Sequence, residues 1–306
     1  MRLDDLPTPC LVLDRQILKR NLQVMADAVA RHGVALRPHM KTAKSIEVAR
    51  LAVANQPGGI TVSTLAEAEY FVGHGMFDIV YAVGITPQKL AEVAKLNGAG
   101  ANIAVITDDV EMATQIAASP VRVRALVEID TGEGRGGLQP GDERLLRVAA
   151  ALGDSMAGVL THAGQSYGAR SLEELAAIAE AERAGIVQAA MTVRQAGFNA
   201  PIVSLGSTPT ALHASRLDGV SEVRAGVYML GDLFQMQVGS HGLDGIALTV
   251  LTSVIGRRPA ASRLLVDAGG LALSKDRSTA AAPVDYQFGL VLDVNGYPSL
   301  GGAVVR

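Results

Sequence analysis

The sequence predicts an α/β protein: a (β/α)8 TIM-type barrel with a second, mostly antiparallel β domain that looks incomplete at the C-terminus. Three observations carry this. Eight short β-rich runs alternate with longer Ala-, Glu- and Arg-rich stretches of helical period. The alternation breaks off after about Leu233, where β-rich runs separated by Gly and Pro take over. The length of 306 residues fits one large barrel or two domains, with apolar material enough for a core. Eight β-then-α units suit a closed barrel better than an open doubly wound sheet.

A strand-like piece, Pro9 to Leu13, comes first, and a helix from Arg15 to Ala30 follows. The barrel strands are expected at Val34–Arg37, Ile60–Val62, Ile79–Val83, Asn102–Ile106, Arg122–Ile129, Ala157–Thr161, Pro201–Leu205 and Glu222–Arg224. Each but the last is followed by a helical stretch, such as Leu65–His74 and the long Ser171–Ala196. The runs Ile246–Ile255, Arg263–Val266, Gln287–Leu292 and Ala303–Val305 read as the β domain, with no good helix among them. The barrel is therefore expected over 13–233, and the β domain over 1–12 plus 234–306. The sequence stops at GGAVVR inside a strand pattern, so the natural protein is expected to continue beyond Arg306.

A formal charge of −3 gives no reason to expect nucleic acid or an anionic membrane as a partner. The opening MRLDDLPTPC has no apolar core of a signal peptide, and no run of apolar residues is long enough to span a bilayer. The single cysteine, Cys10, forms neither an internal disulfide nor a metal cluster and reads as a small buried strand residue. A cytoplasmic protein is the expectation.

The chemistry-bearing residues gather at predicted strand ends. Lys41 in RPHMK follows the first barrel strand, at the C-terminal mouth where barrels build active sites. His39, two residues before it, points to the same side in extended geometry. A lysine aimed into the mouth is poorly solvated, which lowers its pKa toward that of a Schiff-base nucleophile. Lys44 is expected in the first helical turn, facing water. On position alone Lys41 too reads as a surface lysine, and the other motifs reverse that. SLGSTPT (Ser204–Thr210) and EVRAGVYMLGD (Glu222–Asp232) end the seventh and eighth strands, the habitual phosphate cradle of this fold. Gly206 and Gly226 allow close backbone approach, and Ser207 and Thr208 offer hydroxyls. Together with a mouth lysine they favour a phosphorylated ligand.

The fifth strand ends in VEIDTGEGRGG (Val127–Gly137). Its glycines match G-x-G-x-x-G formally, but LQPG follows before any helix, so a dinucleotide site is rejected and Arg135 reads as a donor to a ligand heteroatom. The sixth ends in THAGQSYGA, which puts His162, Gln165, Ser166 and Tyr167 on one loop. A lone histidine there is more often structural than catalytic, and Tyr167 serves equally well as a lid. His32, His74, His213 and His241 lack metal-ligand spacing and read as structural, and Asp4–Asp5 as a solvated turn.

These segments together resemble fold-type III pyridoxal-phosphate enzymes, specifically the D-threonine aldolases and eukaryotic-type D-serine dehydratases, which share an alanine-racemase-like barrel. LPTPCLVLD, RPHMKTAKS, TVSTLAEAE, EIDTGEGRGG, THAGQSYG, SLGSTPT, EVRAGVYMLGD and LLVDAGGLALSKD carry the likeness across nearly the whole chain. The resemblance implies that Lys41 holds pyridoxal 5′-phosphate (PLP), that Arg135 faces its ring, and that Gly206, Ser207, Thr208, Gly226, Val227 and Tyr228 hold the phosphate. His39, Gln165 and Tyr167 complete the candidate cofactor set; Lys41, Tyr167 and His162 are the candidate catalytic residues. Ala43 and Gln165 stand where the family usually has histidines, and glutamine cannot act as a base. The family also carries a divalent metal (Mn, Mg or Zn) on a His and a Cys or Asp near its C-terminus, whereas no histidine follows Asp276 here.

The activity so implied is lysis of a D-β-hydroxy amino acid, with D-threonine aldolase first and D-serine dehydratase second. A PLP-binding protein without turnover and an amino-acid racemase remain open; the racemase would need Tyr286 or Tyr297 as base. A homodimer is the assembly the resemblance implies.

Overall fold

A computed structural model describes residues 3–270, 272–293 and 298–303. The chain divides into two compact units, Leu22–Met229 and, joined together, the residues up to Asn21 with those from Leu230 onward.

The larger unit is a parallel eight-stranded sheet of β2 (Ala35–Pro38), β3 (Ile60–Val62), β4 (Asp78–Gly84), β5 (Asn102–Thr107), β6 (Arg124–Glu128), β7 (Met156–Leu160), β8 (Ile202–Leu205) and β9 (Glu222–Ala225). From β3 to β9 each strand pairs with the next, and β2 pairs with β9. A parallel bridge between His39 and Thr61 joins β2 to β3, so the sheet rolls into a nearly closed barrel. All eight expected strands are present, with ends moved by one or two residues.

Capping residues written into the sequence start the surrounding helices. Ser45 caps α2 (Ile46–Val53), Thr64 caps α3 (Leu65–Gly73), Asp109 caps α5 (Val110–Ala117) and Ser171 caps α7 (Leu172–Gln195), each side chain accepting a backbone N–H of the first turn. Pro87 opens α4 (Pro87–Gly98), α6 (Arg144–Leu152) buries Leu145, Val148 and Leu152 on one face, and α1 (Arg15–Ala30) and α8 (Thr208–His213) are the first and the eighth helix along the chain. Val80, Ala104, Ile106, Leu126 and Leu160 form an apolar cluster of the barrel. Beside it run buried polar groups, Arg37, Ser204, Glu222 and Arg224.

Lys44 departs from expectation. It precedes α2 rather than lying in its first turn, adopts φ 48°, and pairs with Glu67 at 3.4 Å, because Ser45 is the residue that caps the helix.

Among the described residues the smaller unit holds three antiparallel two-stranded sheets. β1 (Cys10–Leu13) pairs with β10 (Leu248–Leu251), β11 (Val254–Arg258) with β12 (Arg263–Val266), and β13 (Leu290–Leu292) with β14 (Pro298–Ala303). The expected run Ile246–Ile255 is split in two because Asp267 takes the Thr252 hydroxyl and the Ser253 N–H, which draws the backbone out of the ladder. The region also has a short helix that was not expected, α9 (Leu233–Val238), capped by Asp232. Val305 and Tyr297 lie outside the described residues.

Candidate active site

The ends of the barrel strands converge on a cavity of about 470 Å³. His39 and Lys41 come from the turn after β2, Arg135 from the loop after β6, and His162 and Tyr167 from the segment after β7. Ser207 and Thr208 follow β8, and Gly226 and Val227 follow β9. With Gly206, ten of the sequence-derived residues thus share one cavity. Gln165 and Tyr228 are not among those lining it. Gln165 donates through Nε2 to the Thr131 carbonyl at 3.2 Å, and the Tyr228 N–H donates to Thr208 Oγ1 at 3.2 Å.

Extended backbone does not continue to Lys41; the chain turns after His39, and the Lys41 N–H faces His39 Nδ1 at 3.4 Å. That contact makes Nδ1 the acceptor, so Nε2 carries the proton toward Ser63 Oγ, 3.4 Å away. Burial, reinforced by Lys41 and Arg224, pushes the His39 pKa down to about 2. His162 has the opposite tautomer. Its Nδ1 meets the Gly206 carbonyl at 2.8 Å, and a carbonyl only accepts, so Nδ1 is protonated and Nε2 is bare. Burial lowers its pKa to about 4. Both rings are neutral at physiological pH. Partial burial, then the fields of Arg135 and Arg224, also lower the pKa of Lys41.

Arg224, on β9, was not singled out from the sequence. It is 4% exposed and reaches the cavity wall. Its guanidinium donates to Ser204 Oγ at 2.7 Å and to the Thr161 carbonyl at 2.6 Å, and Nε has no partner among the described residues. The Ser204 hydroxyl passes its own hydrogen to Glu222 at 2.7 Å, and Glu222 receives Arg37 Nε at 2.8 Å. Burial pulls Arg224 down to about 10. The segment EVRAGVY could have pointed to it, since residues ending a barrel strand reach the mouth, but nothing in the sequence joins Ser204 to Glu222. Glu128, also on the wall, has its pKa raised by burial and by Asp108.

The residues fit PLP. Lys41, Arg135 and Arg224 line the cavity with Glu128, and Arg135 also pairs with Glu133 at 3.3 Å; the cations outnumber these carboxylates, a balance suited to a phosphorylated anion. Thr208 Oγ1 accepts from Tyr228, which leaves its own hydrogen to donate. A Cβ at Gly226 would stand 2.7 Å from the His39 carbonyl, and one at Gly206, where φ is +129°, 2.5 Å from the Arg224 carbonyl. Only glycine lets the backbone line the cavity at these two points.

A family model described as alanine racemase, N-terminal domain, matches residues 13–233. The chain belongs to this family. A D-threo-3-hydroxyaspartate dehydratase of Delftia sp. (strain HT23) is 45% identical over 299 residues, covering 95% of this chain and 79% of the relative. The solved structure of that enzyme has a TM-score of 0.95 to this chain at 44% identity, over 97% of this chain and 80% of the other. A D-serine dehydratase of Dictyostelium discoideum is 28% identical over 90% of this chain and 75% of its own length. A D-threonine aldolase of Arthrobacter sp. is 31% identical over 86% and 71%. The resemblance to fold-type III PLP enzymes is thereby borne out, and the relatives are D-amino-acid lyases of both the dehydratase and the aldolase kind. Among the described residues no group of three His, Cys, Asp or Glu side chains is placed to hold a metal, and no helix is long and apolar enough to cross a membrane.

Proposed function

We propose that this protein is a PLP-dependent dehydratase of D-β-hydroxy amino acids, with D-threo-3-hydroxyaspartate as the leading substrate. Lys41 would hold the cofactor, with Ser207, Thr208, Gly226 and Val227 at its phosphate and Arg135 and Arg224 as further cations of the same cavity. The bound cofactor supplies an electron sink for a pair of electrons released at Cα. The observation that carries the reading is that Lys41 lines the cavity. Elimination starts by taking the Cα proton, and Lys41 Nζ, its pKa lowered by burial and by the fields of Arg135 and Arg224, is a base at hand for it. Cleavage of Cα–Cβ starts instead by taking the β-hydroxyl proton, and histidines at about 2 and about 4 are weak bases for it. Loss of the hydroxyl as water leaves an enamino acid, which hydrolyses to a 2-oxo acid and ammonium. The Delftia relative, at 45% identity, supports the same choice.

Aldol cleavage, first in the sequence reading, is the second proposal and is favoured by the likeness to the Arthrobacter aldolase. Purified protein with PLP, with and without added divalent metal, is given D-threo-3-hydroxyaspartate, D-serine and D-threonine separately. Oxaloacetate and ammonium from the first substrate are expected. Glycine and an aldehyde would move the assignment to aldol cleavage, and no product from any substrate would contradict both.

A further inference from the structure

Glu182, on α7, is fully buried, and the proposed reaction makes no use of it. Its Oε1 accepts the Gly206 N–H at 2.9 Å, while Oε2 has no hydrogen-bond partner among the described residues. A carboxyl is costly to keep in such a place unless it holds something. What it holds is a glycine with wide conformational freedom, in a left-handed conformation at φ +129°. The same glycine accepts His162 Nδ1–H through its carbonyl at 2.8 Å. The next residue is anchored separately: Ser207 Oγ meets Ser166 Oγ at 2.8 Å and Thr210 Oγ1 at 3.0 Å.

We propose that Glu182 is a positioning residue of the cavity: by holding the Gly206 amide it sets the carbonyl that fixes the ring and tautomer of His162. Glu182 also hydrogen-bonds the Thr210 side chain, whose Oγ1 accepts the Ser207 N–H at 3.1 Å, the amide of the same peptide as the Gly206 carbonyl; without Glu182 both holds on that carbonyl weaken, and His162 loses the fixed acceptor that keeps the proton on Nδ1. Burial raises the Glu182 carboxyl to about 7, so near neutrality it exists both as the anion, the stronger acceptor, and as the acid. The hydrogen bonds of the Thr210 side chain and the Gly206 N–H, then the field of Arg224 from β9, oppose that rise. Arg183, next to Glu182 on α7, is turned to Glu180 at 2.7 Å and to the Asp218 carbonyl at 3.0 Å. His162 stands beyond Gly206 and is neutral in this range.

The proposal rests on reading the cavity as the cofactor site, but its main readout needs no turnover. Holoprotein labelled with ¹⁵N at histidine and glycine is followed by NMR across neutral pH. In the wild type His162 is expected to be protonated on Nδ1 and bare on Nε2, with the Gly206 amide signal titrating near pH 7. Glu182→Gln keeps an acceptor for Gly206; the titration should vanish and the tautomer persist. Glu182→Leu should give mixed His162 tautomers and lower kcat/KM about tenfold, the scale of one net hydrogen bond, with Glu182→Gln retaining most of the activity. An unchanged tautomer and unchanged kcat/KM in folded Glu182→Leu would overturn the proposal, and so would a Gly206 titration that survives in Glu182→Gln. The second result decides the matter if the leucine variant does not fold. A wild type that takes up no PLP would defeat the cavity reading and still leave the His162 and Gly206 signals to decide this one.

Discussion

At the scale of single residues, the cavity holds two histidines of opposite tautomer, each fixed by one neighbour. Their neutrality has a consequence for stability. His162 titrates at about 4 when folded against an ordinary 6.5, so between those values the unfolded chain binds the extra proton. Its contribution is complete above pH 6.5 and is lost as pH falls toward 4. Urea midpoints should therefore drop between pH 7.5 and pH 5, and the drop should be smaller in His162→Gln; equal drops in both proteins would contradict this. Arg224 gives a second test. Arg224→Lys keeps a charge but cannot donate to Ser204 and Thr161 while also facing the cavity. PLP affinity measured by fluorescence titration should fall by about tenfold or more, the scale of a charge-assisted hydrogen bond. Lys41, His162 and Arg135 were legible because each ends a strand in a readable motif. Arg224 was not, since its role depends on a serine and a glutamate that meet only when β8 and β9 pair. Gln165 reads as a cavity residue by its place in the motif, yet its amide is drawn to the Thr131 carbonyl.

At the scale of elements, the eight barrel strands were readable because each is a short β-rich run set between helices with their own caps. What periodicity does not carry is the polar ladder inside the barrel. Arg124 and Arg37 share Asp78, Arg37 continues to Glu222, Glu222 takes the Ser204 hydroxyl, and Ser204 receives Arg224. These links cross β2, β4, β6, β8 and β9 and end at the cavity wall. Arg37→Met would leave the buried Glu222 without its cation, while Asp78 keeps Arg124. A loss of about 3–5 kcal/mol is expected by urea unfolding, as for a broken buried pair; a loss below 1 kcal/mol would show that the ladder contributes little. Gly226→Ala probes the turn after β9, where the added methyl meets the His39 carbonyl. PLP affinity should fall while the far-ultraviolet circular dichroism stays that of the wild type.

At the scale of the whole molecule, the barrel and the antiparallel sheets follow from the change of pattern near Leu233. The short helix α9 was missed because six residues are too few for a helical period to stand out. The family follows from ordered motifs along the chain, whereas that likeness reaches dehydratases and aldolases alike. A ligand that binds the folded state alone raises stability by about 2.7 kcal/mol at one hundred times its Kd. Added PLP should accordingly raise the melting temperature of the wild type, and much less that of Lys41→Ala. The central claim, that Lys41 is the cofactor's anchor, is tested most directly by borohydride reduction of the protein with PLP, proteolysis and mass spectrometry. A reduced pyridoxyl adduct on the peptide carrying Lys41 is the predicted result; an adduct confined to other lysines such as Lys44 or Lys89, or none at all, would contradict it.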